Sequence, residues 1–556
     1  MDKEYVVTLH RKEDLEQFYN EMQLSNFPLV LKRPLSRNTH YMMTEEQANQ
    51  LRQDPRVWGV EAVDSFQVRR QVVNTEPYVK TGNFWKDDTI APATVSSNDF
   101  QWGHSHCAGD SGQRGKNVYG PISSGGIYEQ QTTTIEVFNS GKHVDVVIVD
   151  DPVSYDSREF YSPTTDETRF VQYQWFNELN SIVSSIDDDG AILPTGTITY
   201  ATNANTPQYH GIHVTGTACG QHYGWAREAN IYNMAVTDTW TSGQYVPGLL
   251  IFDYLRAFHL NKPINPETGH RNPTVTNHSY GGVYFMPNNN LQLSDVTLVI
   301  WRGTTYTIAN PGPSGWTTAG LAADFGLRFG VDTYPSWSSA IAADVQDAVD
   351  DGIVIIGAAG NDNLLMAEVD DQDWNNRVAI TGVGTIYYNR GAWPNSPDSG
   401  AINVGALSKQ RDFRRSTYTQ FGPGVDVFAP GDNILSSYGN TGLNDSKYGA
   451  GNYFYPIQGT SMASPQVCGV AAILASGKAR FTNSDVLGYL NQHSIYGDMT
   501  FDVAGGGLDD NSCRQGSPNK YLHVENPRKS VGYTTEVVGN RTTGMTFPRP
   551  RMYHQA

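Results

Sequence analysis

Apolar residues in the first 75 positions switch between strand spacing and helix spacing in a regular order. Four short runs have the apolar content of strands: residues 5–9, 27–31, 40–43 and 57–63. Between the first two runs, helical spacing appears in four residues: Leu15, Phe18, Tyr19 and Met22. Thr44 and Gln47 form a capping-box signature that opens a second helix, which must end before Pro55. The order β-α-β-β-α-β predicts a ferredoxin-like α+β domain over residues 1–75.

A second pattern, over residues 101–492, alternates continuous apolar runs with helical segments. The apolar runs cover residues 144–150, 352–360 and 401–407. Such runs are typical of strands buried on both faces of a parallel sheet. Helical spacing begins near His210, Ser339 and Ser461. The alternation predicts an α/β domain with a mostly parallel central sheet.

Polar tracts separate and interrupt these regions. Residues 152–206 and 283–335 are too long for ordinary connections, which predicts two insertions with some structure of their own. Residues 76–100 have weak periodicity and are predicted to be a linker. Residues 493–556 contain little apolar periodicity and are predicted to be a C-terminal extension.

Composition and charge exclude several classes of function. The chain of 556 residues has a formal net charge of −18, which disfavours nucleic acid as a partner. No run of about 18 uncharged apolar residues is present, so we expect no membrane partner. The first residues lack the pattern of a signal peptide, which favours a cytoplasmic protein, or one packaged in a particle, over classical secretion. Four cysteines are too few for a disulfide framework.

Ser461 lies at the beginning of an apolar helical run, after Gly459 and Thr460, and Pro465 is expected in the first turn of this helix, which lacks intrahelical donors anyway. A helix N-terminus carries unpaired N–H groups and favours negative charge, such as the oxyanion that forms when a hydroxyl attacks a carbonyl. Serine is also a common N-cap, and a nucleophilic serine needs a base with a group that orients it. His210 and His213 offer a base in the segment YHGIHVTGT.

The orienting carboxylate is expected where a buried parallel strand ends, because catalytic groups gather at that edge of an α/β sheet. Asp150 ends the apolar run of residues 146–149, and Asp151 follows it directly. Both carboxylates are therefore candidates.

The segments VVIVDD, HGIHVTGT and GTSMASP, in that order, resemble the three signature blocks of the subtilisin-like serine proteases, the subtilases. Three further segments are similar to blocks of that family: SYGG at residues 279–282, AAGND at 358–362 and FAPG at 428–431. The resemblance implies a subtilisin-like three-layer α/β fold. The FAPG segment lies ahead of the helix that carries Ser461. The segment MTEEQANQLRQDPRVWGVEAVD, residues 43–64, is similar to the end of the inhibitory propeptide that precedes many subtilases.

Carried over by position, the resemblance gives each residue a role. It implies that Asp150 orients His210, that His210 is the base and that Ser461 is the nucleophile, and it favours Asp150 over Asp151. It further implies an Asn361 side chain that donates to the oxyanion. His213 is expected to be structural. Substrate-binding residues are expected in two segments: Ser279, Tyr280 and Gly281, and Ala358, Ala359 and Gly360.

Asp151-Pro152 and Ile212 depart from the usual pattern of the family, in which Ser or Thr and then Gly follow the acid, and Thr precedes the second histidine. A proline and an additional charge beside the catalytic residues are expected to change the properties of the histidine.

The sequence therefore predicts a serine endopeptidase that is made as a self-processing precursor, with protein or peptide substrates and its own propeptide as partners. One alternative is a structural or binding protein, such as a virion or assembly component, that keeps the fold with little turnover. An α/β-hydrolase esterase is disfavoured because Ser461 is not in a G-x-S-x-G segment and because His210 precedes it. The chemistry needs no cofactor. The acidic loops of residues 187–190 and 370–373 offer oxygen ligands for the structural calcium that the resemblance implies, but neither has EF-hand spacing, which favours solvated loops.

Overall fold

The structure is a computed structural model that describes residues 2–31, 36–62, 76–85, 99–108, 130–183, 193–204, 209–237, 241–409, 414–496, 499 and 516–527. The chain divides into two compact units, Met1–Val72 and Val73–Ala556.

The first unit is a four-stranded antiparallel sheet with two helices. Its elements are β1 (Lys3–Leu9), α1 (Leu15–Leu24), β2 (Leu29–Leu31), β3 (Asn38–Met43), α2 (Glu45–Leu51) and β4 (Val57–Ala62). The strand order β2-β3-β1-β4 is that of the split βαβ arrangement, which confirms the predicted ferredoxin-like domain. All four residues with helical spacing are buried on α1, and Thr44 and Gln47 form the predicted capping box.

The second unit begins with β5 (Tyr78–Trp85), β6 (Asp99–Gln101), α3 (Trp102–Ala108), β7 (Gln130–Val137), β8 (Asp145–Asp150), α4 (Trp175–Val183), α5 (His210–Cys219), β9 (Asn230–Ala235), α6 (Ile251–Asn261) and β10 (Thr274–His278). It continues with β11 (Val283–Phe285), β12 (Val296–Trp301), β13 (Thr304–Tyr306), α7 (Thr318–Phe325), β14 (Thr333–Pro335), α8 (Ser339–Asp350), β15 (Val354–Ala358), β16 (Arg377–Ile380) and β17 (Gly384–Tyr387). Its last elements are β18 (Ile402–Leu407), β19 (Val427–Pro430), β20 (Ile434–Tyr438), β21 (Leu443–Asn444), β22 (Tyr453–Ile457), α9 (Thr460–Ala475), α10 (Asn483–His493), β23 (Ile495–Tyr496) and β24 (Lys520–Tyr521).

An eight-stranded sheet with the order β23-β24-β19-β18-β15-β10-β8-β9 forms the centre of this unit. Every neighbouring pair from β24 to β9 is parallel, and only β23 pairs in the antiparallel direction. All residues of β8, β15 and β18 are buried, as their continuous apolar sequences predict. The predicted mostly parallel α/β fold is confirmed.

Helices α5 and α9 pack against each other and against the sheet: α5 contacts β8, and α9 contacts β10, β15 and β18. Every residue of α9 is buried. The sequence places Pro465 in the first turn of this helix, but α9 begins at Thr460 and Pro465 lies in its second turn. Pro465 has no N–H for the carbonyl of Ser461, four residues earlier, and the Ser279 hydroxyl donates to that carbonyl instead, at 2.9 Å.

Both predicted insertions contain regular structure. Helix α4 lies in the first, while β11 to β14 and α7 lie in the second, where they contribute to a separate small hydrophobic core around Leu291, Val299 and Phe325. Two segments differ from the sequence-based organisation. Residues 76–100, predicted to be a linker, contain β5, which pairs with β7, and residues 493–556, predicted to be an extension, contain β24, which joins the central sheet.

Among the residues that the structure describes, no helix is both long and apolar enough to cross a membrane.

Candidate active site

The ends of three adjacent parallel strands bring together residues from distant parts of the chain. Asp150 is the last residue of β8, Ser279 follows β10, and Asn361 lies three residues after β15. Because β8, β10 and β15 are neighbours and run in the same direction, their carboxyl ends meet at one edge of the sheet. Helices α5 and α9 supply His210 and Ser461 from their first turns.

Asp150 and His210 form a direct hydrogen bond, with 2.7 Å between Asp150 Oδ1 and His210 Nδ1. The Asp150 side chain is buried, and its Oδ1 also accepts the N–H of Asp151 at 2.7 Å. Gly211 allows this approach, because a Cβ at that position would lie 2.4 Å from the carbonyl oxygen of Asp151. The helix that begins at His210 can therefore contact the end of β8 only with glycine as its second residue.

The charge on His210 is controlled by its surroundings. Burial lowers its pKa, but the charge of Asp150, their hydrogen bond and the charge of Asp151 outweigh this effect and raise the pKa of His210 to about 8. Burial also raises the pKa of Asp150, against the effect of His210. The Asp151 carboxylate accepts a hydrogen bond from the hydroxyl of Thr237 and makes no hydrogen bond to His210 in the described structure. Asp150 thus has the geometry of the orienting carboxylate.

Ser461 is largely buried, with 8% of its surface exposed, and lies in the first turn of α9. Its hydroxyl donates to the carbonyl of Ser279 at 3.1 Å. No hydrogen bond between Ser461 and His210 is found within the described part of the chain, although both side chains line the same cleft of about 550 Å³. A rotation of the Ser461 hydroxyl away from Ser279 would be needed for proton transfer to His210.

The Asn361 side chain lines the same cleft, and two hydrogen bonds fix its orientation. Its Oδ1 accepts the backbone N–H of Thr460 at 2.9 Å and the hydroxyl of Thr460 at 2.8 Å. The hydroxyl of Thr460 accepts in turn from the N–H of Gly360 at 3.2 Å. Because these bonds hold Oδ1 against Thr460, the other end of the amide, Nδ2, faces the cleft with its N–H groups available as donors.

Gly459 keeps the space in front of this donor open. Its φ of +151° is unfavourable for other residues, and a Cβ at this position would lie 3.5 Å from both Asn361 Nδ2 and the backbone nitrogen of Ser461. Asn361 Nδ2 and the backbone nitrogen of Ser461 therefore both adjoin one small space, which a single methyl group at position 459 would fill.

The predicted substrate-binding residues lie on the ends of β10 and β15. Asn395 Nδ2 donates to the carbonyls of His278, Tyr280 and Ala358, at 3.1, 2.9 and 3.2 Å, and so connects the two strand ends. The backbone of Gly281 and of Gly360 continues from these strands. Neither Ser279–Gly281 nor Ala358–Gly360 lines the 550 Å³ cleft, apart from the bond between Ser279 and Ser461.

His213 lies one turn after His210 and is completely buried. Its Nε2 is 2.8 Å from the carbonyl oxygen of Ile434 and 3.2 Å from that of Tyr455. Burial, opposed by these hydrogen bonds, lowers the pKa of His213 to about 3. This neutral ring connects α5 to strands β20 and β22, in keeping with a structural role.

Sequence reasoning did not identify Thr460, Gly459 or Asn395 as parts of this site. Thr460 and Gly459 directly precede Ser461 in the sequence, and this adjacency could have identified them as residues of the site. Asn395 lies more than 30 residues after Ala358 in an irregular segment and has no local signature.

Carboxylate and imidazole groups close enough to hold a metal ion occur in one place within the described ranges: Asp150, Asp151 and His210. These are the residues already described. In the acidic loop of residues 370–373, both oxygens of Asp373 accept from Arg302, at 2.8 and 2.9 Å. The loop of residues 187–190, the other calcium candidate, lies outside the described residues.

Comparison with known proteins finds that the model of the subtilase family matches residues 141–523. Among individual relatives, a thermostable alkaline protease of Halalkalibacterium halodurans is 29% identical over 29% of this chain and 34% of its own length. Subtilisin Savinase of Lederbergia lenta is 26% identical over 28% of this chain and 44% of its own length. Proteinase R of Parengyodontium album is 24% identical over 54% of this chain and 53% of its own length. The matches thus span about a third to a half of these relatives.

Among solved structures, a cold-adapted subtilisin-like serine proteinase is similar to this chain with a TM-score of 0.40 and 21% identity. The match covers 70% of this chain and 92% of that one.

Proposed function

Because the chain belongs to the subtilase family, we propose that it is a serine endopeptidase that cleaves peptide bonds with Asp150, His210 and Ser461. The observation that carries the proposal is the 2.7 Å bond between Asp150 and His210 at the rim of a cleft that Ser461 and Asn361 also line. The substrates are proposed to be proteins or peptides.

In the acylation step, the Ser461 hydroxyl leaves the Ser279 carbonyl and gives its proton to His210 Nε2 while its oxygen attacks the peptide carbonyl. Asp150 holds Nδ1 of the same ring, so that Nε2 is the nitrogen that accepts the proton. The carbonyl oxygen becomes an oxyanion, which the Ser461 N–H and Asn361 Nδ2 stabilise. His210 then protonates the leaving amine, and water hydrolyses the acyl-enzyme by the reverse sequence of proton transfers.

Replacement of the nucleophile tests this proposal. Ser461→Ala is expected to retain the fold and to lose activity by about a million-fold, because the remaining groups have no nucleophile to activate. The measurement is cleavage of denatured casein, together with labelling by a fluorophosphonate, which modifies activated serines.

Ser464→Ala is the matched control, since Ser464 lies on the same helix, bonds to Asn277 at 2.6 Å and does not line the cleft. The control is expected to be active and labelled. Casein cleavage by Ser461→Ala at the rate of the parent would refute the mechanism.

We also propose that residues 1–75 act as a propeptide that inhibits the rest of the chain and is removed by it. Support comes from the separate core of the first unit and its ferredoxin-like topology. The cut is predicted between residues 65 and 100. Strand β5 favours a position before Tyr78, because Lys80 is buried in the second unit and donates to the carbonyls of His222 and Gly224, at 2.7 and 2.6 Å.

Intact mass and N-terminal sequencing test the processing. Active protein is expected to begin after residue 65, and Ser461→Ala is expected to remain full length. A preparation that hydrolyses peptides while every chain still begins at Met1 would show that the first unit has another role.

None of the proposed steps requires a cofactor, and any calcium would be structural. The loop of residues 370–373 fits calcium poorly, because Arg302 already occupies both oxygens of Asp373.

A further inference from the structure

Three tyrosines form one side of the 550 Å³ cleft: Tyr209, Tyr438 and Tyr455, here called the tyrosine wall. The rings of Tyr209 and Tyr438 are stacked, with centroids 4.8 Å apart, and the centroids of Tyr438 and Tyr455 are 5.3 Å apart. Tyr209 is 44% exposed and Tyr455 is 41% exposed, so the wall presents aromatic surface to the cleft.

The wall stands on rigid elements beside the catalytic base. Tyr209 directly precedes His210, while Tyr438 and Tyr455 lie on the paired strands β20 and β22. Strand β20 is joined to α5 by a hydrogen bond of 2.9 Å from the Ser436 hydroxyl to the carbonyl of His213. The rings are therefore held in place before any substrate binds.

The position of the wall identifies the part of the substrate that would contact it. In the proposed mechanism, His210 protonates the leaving amine, so the residue that carries this amine must lie next to His210. Tyr209 directly precedes His210, and it lines the same cleft as its stacked partner Tyr438, so these two rings are the aromatic surface that we assign to that position. The segments predicted to bind the acyl part, at Ser279 and Ala358, follow β10 and β15 and do not line this cleft.

We propose that the tyrosine wall is a specificity site for the residue on the amine side of the scissile bond, an inference that rests on the proposed function. The wall selects a large apolar or aromatic side chain at that position. The lining contains no charged group other than His210, so a charged side chain would find no partner of opposite charge there. An aromatic ring can pack on the exposed faces of Tyr209 and Tyr455 and extend the row of aromatic contacts.

Acyl transfer to amino-acid amides measures this site directly. A peptide ester acylates Ser461 and releases its alcohol, which takes up the proton that His210 received from the Ser461 hydroxyl. Either water or an added amine then gives a proton to His210 and attacks the carbonyl carbon of the acyl-enzyme, and the Ser461 oxygen leaves with the proton returned by His210. The ratio of amide product to acid product for phenylalaninamide and for glycinamide reports how well each side chain binds on the amine side. The protein as purified is expected to prefer phenylalaninamide by about tenfold or more.

Two variants remove parts of the wall: Tyr438→Ala and Tyr455→Ala. Each is expected to lower the preference for phenylalaninamide over glycinamide by about twofold to tenfold, which is the range of one aromatic contact. Tyr245→Ala is the control, because Tyr245 is 47% exposed and does not line the cleft, and it is expected to keep the preference.

The outcomes separate this inference from the proposed function. If no acyl-enzyme forms and no fluorophosphonate label appears, the proposed function fails and this inference fails with it. If an acyl-enzyme forms but phenylalaninamide has no advantage, or if both folded tyrosine variants keep the full preference, the inference alone is wrong.

Discussion

Asp151 offers a sharp test of the electrostatics around the proposed base. It occupies a position where subtilases usually have Ser or Thr, and an oxygen of its carboxylate lies within 4.8 Å of a ring nitrogen of His210. Asp151→Asn keeps the size and shape of the side chain and removes its charge. Since that charge contributes to the raised pKa of His210, the variant should have a more acidic pKa at His210.

The size of the effect follows from the distance. Two unit charges at this separation interact by about 0.9 kcal/mol in bulk water, which corresponds to about 0.6 pH unit, and more strongly where protein replaces part of the water. The His210 side chain is 29% exposed, so water surrounds part of it and protein surrounds the rest. We therefore expect a decrease of about 0.6 pH unit or somewhat more.

The assay is kcat/KM for an uncharged peptide ester as a function of pH. His210 must be neutral to accept the proton of Ser461, so activity should rise with pH through a midpoint near 8 in the parent protein. In Asp151→Asn the midpoint should move toward lower pH while the plateau at high pH stays close to that of the parent. Asp166→Asn is the control for general charge effects, since its side chain is 76% exposed and bonds to Arg158.

Two results would refute this reasoning. An unchanged midpoint would mean that Asp151 does not influence His210. A fall of about ten-thousand-fold at the plateau would mean that Asp151, and not Asp150, orients the base, because that loss is expected of Asp150→Asn.

Further predictions concern the oxyanion site and the buried charges. Asn361→Ala should lower kcat by about a hundred- to a thousand-fold with little change in KM, and an unchanged kcat would remove Asn361 from the mechanism. Gly459→Ala should lower kcat by about a hundredfold or more, because its methyl group would fill the space between the two donors; activity near that of the parent would contradict this account. Glu159→Gln should destabilise the fold by about 1–3 kcal/mol, measured by calorimetry against the exposed Glu167→Gln, since it removes a buried carboxylate that accepts hydrogen bonds from the Tyr448 hydroxyl at 2.5 Å and from the N–H groups of His222 and Tyr223 at 3.0 and 3.2 Å. Although burial raises the pKa of Glu159, bonds to His222 and Tyr448 hold it well below its usual range, so this contribution is present above about pH 4.5 and is lost on acidification; equal melting temperatures for the two variants at pH 7 would refute it.

Much of the fold was predictable because its signals are local. The apolar run of residues 144–150 and the capping box at Thr44 each depend on a few neighbouring residues, and both were predicted correctly. The last strand of the sheet at Lys520–Tyr521 was missed because its two residues carry no periodicity, and only their pairing with β19 makes them a strand. Pro465 was misplaced for a related reason: the start of α9 depends on Gly459, whose conformation is not readable from composition.

The same distinction applies to the candidate site. Asp150, His210 and Ser461 lie in segments whose patterns mark strand ends and helix starts, and these segments resemble a known family. The tyrosine wall has no such signature, since Tyr209, Tyr438 and Tyr455 are brought together only by the pairing of β20 with β22 and the packing of α5 on β20. Single tyrosines in a sequence carry no information about such a row of rings.

The departures from the family pattern at Asp151 and Pro152 both affect His210, the proposed base. Pro152 has no N–H to donate, and Asp150 Oδ2 is buried without a hydrogen-bond partner among the described residues, so the orientation of Asp150 depends on the bonds of its other oxygen to His210 and to the Asp151 N–H. An unpartnered carboxylate oxygen leaves more of the negative charge uncompensated near the imidazole, and the Asp151 charge adds to it. Both effects favour the protonated form of His210, in agreement with its raised pKa.

The raised pKa of His210 also makes the stability of the fold depend on pH. Because the pKa rises from 6.5 to about 8, protonated His210 contributes its full stabilisation below pH 6.5 and loses it as the pH rises through 8. The pH range in which the proposed base is active is therefore the range in which this contribution to stability is absent.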